Sequence, residues 1–295
     1  MKMSKKMLEG VIVAMVTPFD EHEEVDLNSL KEIVDYFIEQ GVHGILVCGS
    51  TGEFAALSSS ERKKMFDIVI NHVDGRVPVV CGTSACSTKA TIELTKYAEN
   101  AGADAVLVVP PFYTKPKENE VYEHYKLIAE STKLPIIIYN NPWTSKVDIP
   151  PHLIAKLAEF NNIKYVKESS GDITRIWKIR SLTNDGITVF CGSENQALES
   201  FVMGAKGWIS AAANIIPKQT VELYETACVK KDFLKARVLY EKLLPLLNML
   251  EESGKYIHFS KAALRLIGKK AGNPRKPLLP ISPEEEETLK KLLPT

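Results

Sequence analysis

At 295 residues the chain is long enough to bury a sizeable core without disulfide or metal staples. Lysine plus arginine and aspartate plus glutamate number 37 each, so no charge excess points to nucleic acid or an anionic membrane as partner. No apolar stretch approaches the roughly 20 residues of a bilayer span, and neither an h-region nor a cleavage site follows the basic start Met1 to Lys6. A cytoplasmic protein acting on a small molecule is expected.

Short apolar, β-branched runs recur at 11–18, 44–50, 77–83, 105–111, 135–140, 163–169, 187–193 and 207–214. None alternates with polar residues, the mark of parallel strands buried on both faces. Helical patterns fill the gaps. Leu27, Leu30, Val34 and Phe37 share one face and stop at Gly41. Ser58 and Glu61 form a capping box that opens a helix running to Val73. Further helices are predicted over 91–101, 121–132 and 151–160, the last with Pro151 in its first turn, where a missing N–H costs nothing. Strand and helix alternate eight times, the rhythm of a (β/α)8 TIM barrel over 1–217. From 218 to 295 the pattern is helical only: 218–249, 260–267, and a last helix opened by Ser282 and Pro283. This region is read as a helical appendage beside the barrel. A doubly wound sheet is disfavoured, because Thr17-Pro18-Phe19-Asp20 stands where its glycine-rich phosphate turn would follow strand one.

In such a barrel the chemistry sits at the C-terminal ends of the strands. Lys167 is the unusual residue there, a lysine ending the apolar run of strand six. An amine held dry sheds its proton more readily and becomes a nucleophile for carbonyls. Many strand lysines merely lay their stems across apolar surface, so Lys167 alone would not carry the reading. Tyr139 ends the adjacent strand and could shuttle protons to that amine. Ser50 and Thr51 lie in a glycine-bracketed turn whose N–H groups and hydroxyls suit a carboxylate.

Metal chemistry is not expected. None of the histidines (His22, His43, His72, His124, His152, His258) ends a strand, and His43 precedes strand two on the opposite face. Cys48, Cys81 and Cys191 end strands and could in principle converge on zinc, but buried thiols acting as small hydrophobes are commoner. Without export signals, the cysteines do not read as a disulfide framework.

Six motifs occur in order: Gly49-Ser50-Thr51-Gly52-Glu53, Pro111-Phe112-Tyr113, Tyr139-Asn140-Asn141-Pro142, Tyr165-Val166-Lys167-Glu168, Cys191-Gly192 and Gly207-Trp208-Ile209-Ser210. In them, and over nearly its whole length, the sequence resembles the dihydrodipicolinate synthase / N-acetylneuraminate lyase family of class I aldolases and lyases. The resemblance implies an imine between Lys167 and pyruvate or another 2-oxo acid, with Tyr139 as proton donor and acceptor. It implies a proton relay through Ser50 and Tyr113, the tyrosine reaching over from a neighbouring subunit. Thr51 would bind the carboxylate, Ile209 would offer a backbone carbonyl, and Gly192 would border the substrate. A homotetramer built as a dimer of dimers is implied, with no metal or organic cofactor, since the protonated imine is itself the electron sink.

One departure bears on the substrate. The synthase branch carries an arginine for the second substrate's carboxylate where this chain has Thr144, and a hydroxyl does not replace a bidentate guanidinium. Ser50 likewise stands where that branch has threonine. The expected activity is therefore a lyase, aldolase or dehydratase for a 2-oxo-3-deoxy sugar acid or similar 2-oxo acid, with Asn141, Thr144 and Asn195 reading hydroxyls. The alternatives are a 4-hydroxy-tetrahydrodipicolinate synthase joining pyruvate to aspartate semialdehyde and a catalytically idle barrel that binds a 2-oxo acid. A barrel binding phosphate between strands seven and eight, at Gly192 and Gly204, is a further one.

Overall fold

The computed structural model describes residues 7–293. Its strands are β1 (Gly10–Ala14), β2 (Gly44–Val47), β3 (Val79–Gly82), β4 (Ala105–Val108), β5 (Ile136–Asn140), β6 (Ile163–Glu168), β7 (Thr188–Cys191) and β8 (Gly207–Ser210). All pair in parallel in chain order, and β8 returns to β1, with Ile12 opposite Ile209. The expected eight-stranded barrel is present. Each strand divides its side chains between two layers. Ile12, Leu46, Leu107, Ile137, Tyr165 and Phe190 fill the interior, while Val11, Ile45, Val106, Ile138, Val166 and Trp208 pack outward against helices. Two buried faces are why no polar alternation marks these strands in the sequence.

The helices are α1 (Leu27–Glu39), α2 (Ser59–Val73), α3 (Thr88–Ala101), α4 (Glu118–Ser131), the short α5 (Pro142–Ser145), α6 (Pro151–Leu157), α7 (Thr174–Leu182) and α8 (Ala197–Val202). Their stop and start signals act as read. The Ser58 and Glu61 side chains cap α2 reciprocally, a device worth about 1 kcal/mol. Gly102 ends α3 in the left-handed conformation. After β8 come α9 (Pro217–Tyr224), α10 (Phe233–Ser253), α11 (Tyr256–Leu266) and α12 (Pro283–Leu292).

Two expectations need correction. The continuous helix expected over 218–249 is interrupted: a π-helical turn at Glu225–Val229 follows α9, and Asp232 then caps α10 afresh. Second, most apolar runs outlast their strands. Strand eight was expected to reach Asn214, but β8 ends at Ser210 and Ala212–Asn214 form a 3-10 turn. That turn stays apolar because it is fully buried. Asn214 closes it by donating to Ala14 O at 2.8 Å and accepting from Val16 N at 3.0 Å.

Candidate active site

The C-terminal ends of the strands surround a cavity of about 640 Å3. Lys167 and Tyr139 stand at its base as direct partners across the β5–β6 ladder. They are 6% and 5% exposed, and the Lys167 Nζ lies 4.4 Å from the centre of the Tyr139 ring. This contact follows from register: both residues point inward, and parallel pairing sets them side by side. The neighbouring pair, Asn140 and Glu168, faces the other way and ties the same two strand ends together. Asn140 Nδ2 donates to the Glu168 carboxylate at 3.1 Å, and Ser170 N donates to it at 2.7 Å. Burial raises the Glu168 pKa, while these donors hold it down.

Asn141 Nδ2 donates to the Tyr139 hydroxyl oxygen at 2.9 Å. The phenolic hydrogen is thereby left free to point at a ligand. Asn141 Oδ1 accepts from Thr144 N at 3.3 Å as the cap of α5. These two bonds fix the orientation of the Asn141 amide, which lines the cavity and keeps a second N–H and a second lone pair. Thr144 and Asn195 line the cavity, and Asn195 donates to Asn248 Oδ1 at 3.0 Å.

Ser50 and Thr51 line the opposite wall. Their turn closes at Glu53, which holds a left-handed φ of 56°. A buried ion pair anchors it: Glu53 Oε1 meets Lys261 Nζ of α11 at 2.7 Å. Arg275 N donates to Glu53 Oε2 at 2.8 Å. Gly192 lies beside Lys167, and here the absent side chain is required. A Cβ would fall 2.8 Å from Lys167 Cε and 1.9 Å from Ser169 Oγ.

Not every expected residue converges on the cavity. Tyr113 is 85% exposed and lies outside the cavity lining of its own chain, although the preceding Phe112 lines an adjoining apolar cavity. Ile209 is buried in the inner barrel layer with Tyr165 and Phe190. Gly204 corrects the phosphate reading. It ends the turn after α8 and precedes β8, so it sits at the opposite end of the barrel from Gly192, with Arg180 beside it.

Other lining residues went unanticipated. Ser169, two positions after Lys167, faces the same cavity; its hydroxyl is buried with no hydrogen-bond partner. The two-residue strand period was a signal for it. Glu194 follows β7 and accepts from Ser210 Oγ, Ala211 N and Ala212 N at 2.7, 2.6 and 3.1 Å. Complete burial pushes its pKa up to about 7 against those donors. Glu251, Glu252 and Tyr256 come from the end of α10 and the start of α11. No local signal marked them, because the tail was read as an appendage beside the barrel, whereas its helices reach over the mouth.

Among the described residues, no three histidine, cysteine, aspartate or glutamate side chains group as metal ligands. Cys48, Cys81 and Cys191 are buried free thiols, and desolvation raises each of their pKa values. No helix among the described residues is long and apolar enough to cross a membrane.

The family model described as the dihydrodipicolinate synthetase family matches residues 7–295. The chain is 39% identical over 294 residues to a 4-hydroxy-tetrahydrodipicolinate synthase of Syntrophus aciditrophicus, covering 97% of this chain and 98% of the relative. It is 36% identical over 283 residues to the enzyme of the same name from Oceanobacillus iheyensis, covering 96% and 95%. Among solved structures, it superposes with a TM-score of 0.92 on the chloride-inhibited dihydrodipicolinate synthase of Acinetobacter baumannii complexed with pyruvate. That pair is 37% identical, covering 97% of this chain and 98% of the other. A buried strand-end lysine against a tyrosine, at the mouth of a parallel barrel and with this likeness along the chain, places it in the dihydrodipicolinate synthetase family of class I, lysine-imine aldolases and lyases.

Proposed function

We propose that Lys167 forms an imine with pyruvate or the pyruvyl end of a longer 2-oxo acid, and that Tyr139 moves the protons. One observation carries this: a buried amine against a phenol whose hydrogen is free, at the base of an open cavity. The neutral amine adds to the C2 carbonyl. The resulting carbinolamine loses its hydroxyl as water, with Tyr139 donating the proton. The iminium then accepts the electron pair released when a bond at C3–C4 breaks, or when a proton leaves C3. The Ser50-Thr51 turn would hold the carboxylate, and Tyr113 of a neighbouring subunit would extend the relay in a cytoplasmic homotetramer. Ile209 would offer its backbone carbonyl. Borohydride with pyruvate should fix a reduced pyruvyl group on Lys167, and Lys167→Ala should abolish both adduct and turnover. An adduct elsewhere, or turnover without Lys167, would overturn the assignment.

Two readings of the second substrate remain, each with support. The names of the relatives back the synthase, joining pyruvate to aspartate semialdehyde, more strongly than the sugar-acid reading. The cavity chemistry favours a lyase, aldolase or dehydratase for a 2-oxo acid with a hydroxylated tail. Among the described lining residues Lys167 is the sole cation, and Ser, Thr, Asn and Glu side chains stand there beside Tyr139, Trp143, Leu250 and Tyr256. Arg275 borders the adjoining cavity, but it is committed to Glu61 Oε1 at 2.7 Å and Ala56 O at 2.8 Å. The unpartnered Ser169 hydroxyl suits a substrate hydroxyl. Assaying pyruvate plus aspartate semialdehyde beside cleavage of 2-oxo-3-deoxy sugar acids separates the two. Efficient condensation with the semialdehyde decides for the synthase.

A further inference from the structure

The helical tail supplies part of the cavity wall. Glu251, in the last turn of α10, is exposed to the same cavity as Lys167 and Ser169. It is held rather than loose, since Glu194 N donates to its Oε2 at 2.8 Å. Its other carboxylate oxygen remains available to a ligand. Partial desolvation at this crowded wall raises its pKa, offset by the Glu194 N–H and by the positive charge of Lys167. Tyr256, at the start of α11, lines the cavity too, and burial raises its pKa. Independently of this acidic wall, Ser169 lines the same cavity and is buried, and its hydroxyl has no hydrogen-bond partner.

We propose that Glu251 is a specificity-determining residue that accepts hydrogen bonds from a hydroxyl or ammonium group on the tail of the substrate. The proposal rests on the imine reading of Lys167 and deepens it. A fixed anion rewards tails rich in donors and penalises tails that end in a carboxylate, because like charges would meet. The pyruvyl end is bound at Lys167 and the Ser50-Thr51 turn, so Glu251 acts on what is attached beyond C3. A tail helix, not a barrel loop, thus supplies the discriminating group.

The test compares two aldehydes as partners of pyruvate, glyceraldehyde with its hydroxyls and succinate semialdehyde with its carboxylate. Glu251→Gln should lower kcat/KM for glyceraldehyde roughly 10- to 100-fold, the worth of a hydrogen bond to a charged group. It should leave succinate semialdehyde unchanged or better used, so the ratio between the two moves. Borohydride trapping of pyruvate on the same samples reports the imine separately. Equal losses with both aldehydes, no change with either, or loss of trapping in the variant alone would overturn the role of Glu251. Failure of trapping in the unmodified chain would instead sink the imine reading.

Discussion

The ion pair beneath the Ser50-Thr51 turn should matter for stability and binding together. Lys261 and Glu53 side chains are 0% and 2% exposed, and their charged atoms lie 2.7 Å apart. Lys261 also donates to Asn273 O at 2.8 Å and sits 4.1 Å from the centre of the Phe19 ring. Burial lowers its pKa to about 8 even with Glu53 opposing. Attraction within the pair therefore does not fully repay desolvation. Lys261→Met should cost about 3 to 5 kcal/mol, the usual penalty for stranding one member of a buried pair. Adding Glu53→Gln removes the stranded charge and keeps an acceptor for Arg275 N, so the double variant should recover about 2 kcal/mol or more. Urea denaturation followed by tryptophan fluorescence measures both. The KM for pyruvate should rise in Lys261→Met, since Glu53 closes the turn that carries Thr51. A single-variant cost below about 1 kcal/mol, or no recovery in the double variant, would refute the account.

Tyr139→Phe keeps the ring against Lys167 but removes the proton carrier, so turnover should fall by about 100-fold or more; steady-state kinetics beside borohydride trapping reads this, and undiminished turnover counts against Tyr139. Gly192→Ala places a Cβ 2.8 Å from Lys167 Cε and 1.9 Å from Ser169 Oγ, and trapping of pyruvate should fail or slow sharply while circular dichroism stays native. His124 is buried, with Nδ1 bonded to the Thr88 hydroxyl at 2.9 Å, and desolvation lowers its pKa to about 4 from 6.5. Its protonation is thus easier in the unfolded chain: its contribution is intact above pH 6.5 and drains away as pH falls towards 4, by up to ~3 kcal/mol. His124→Phe should flatten that part of the stability profile in urea titrations, and an unchanged acid slope would contradict it.

Much of this protein is legible in one dimension. Buried parallel strands must be apolar on both faces, and helices must start and stop with caps, so eight apolar runs and signals such as Ser58–Glu61 and Gly102 expose the barrel. Once the barrel is assigned, strand ends become the site, and a lysine ending an apolar run singles out Lys167. That Tyr139 and Lys167 end adjacent strands is also readable, but their direct pairing depends on a register shift between Ile136 and Ile137 that run length does not give. Three-dimensional packing decided the rest. Asn141 is oriented by Tyr139 and its own loop, Gly204 lies at the wrong end for phosphate, and Glu251 and Tyr256 reach the cavity from about 85 residues beyond Lys167. Spacing along a strand or helix is local and leaves its period in the sequence. The way a distant helix folds back over the barrel mouth is set by the summed packing of many weak contacts, which leaves no local trace.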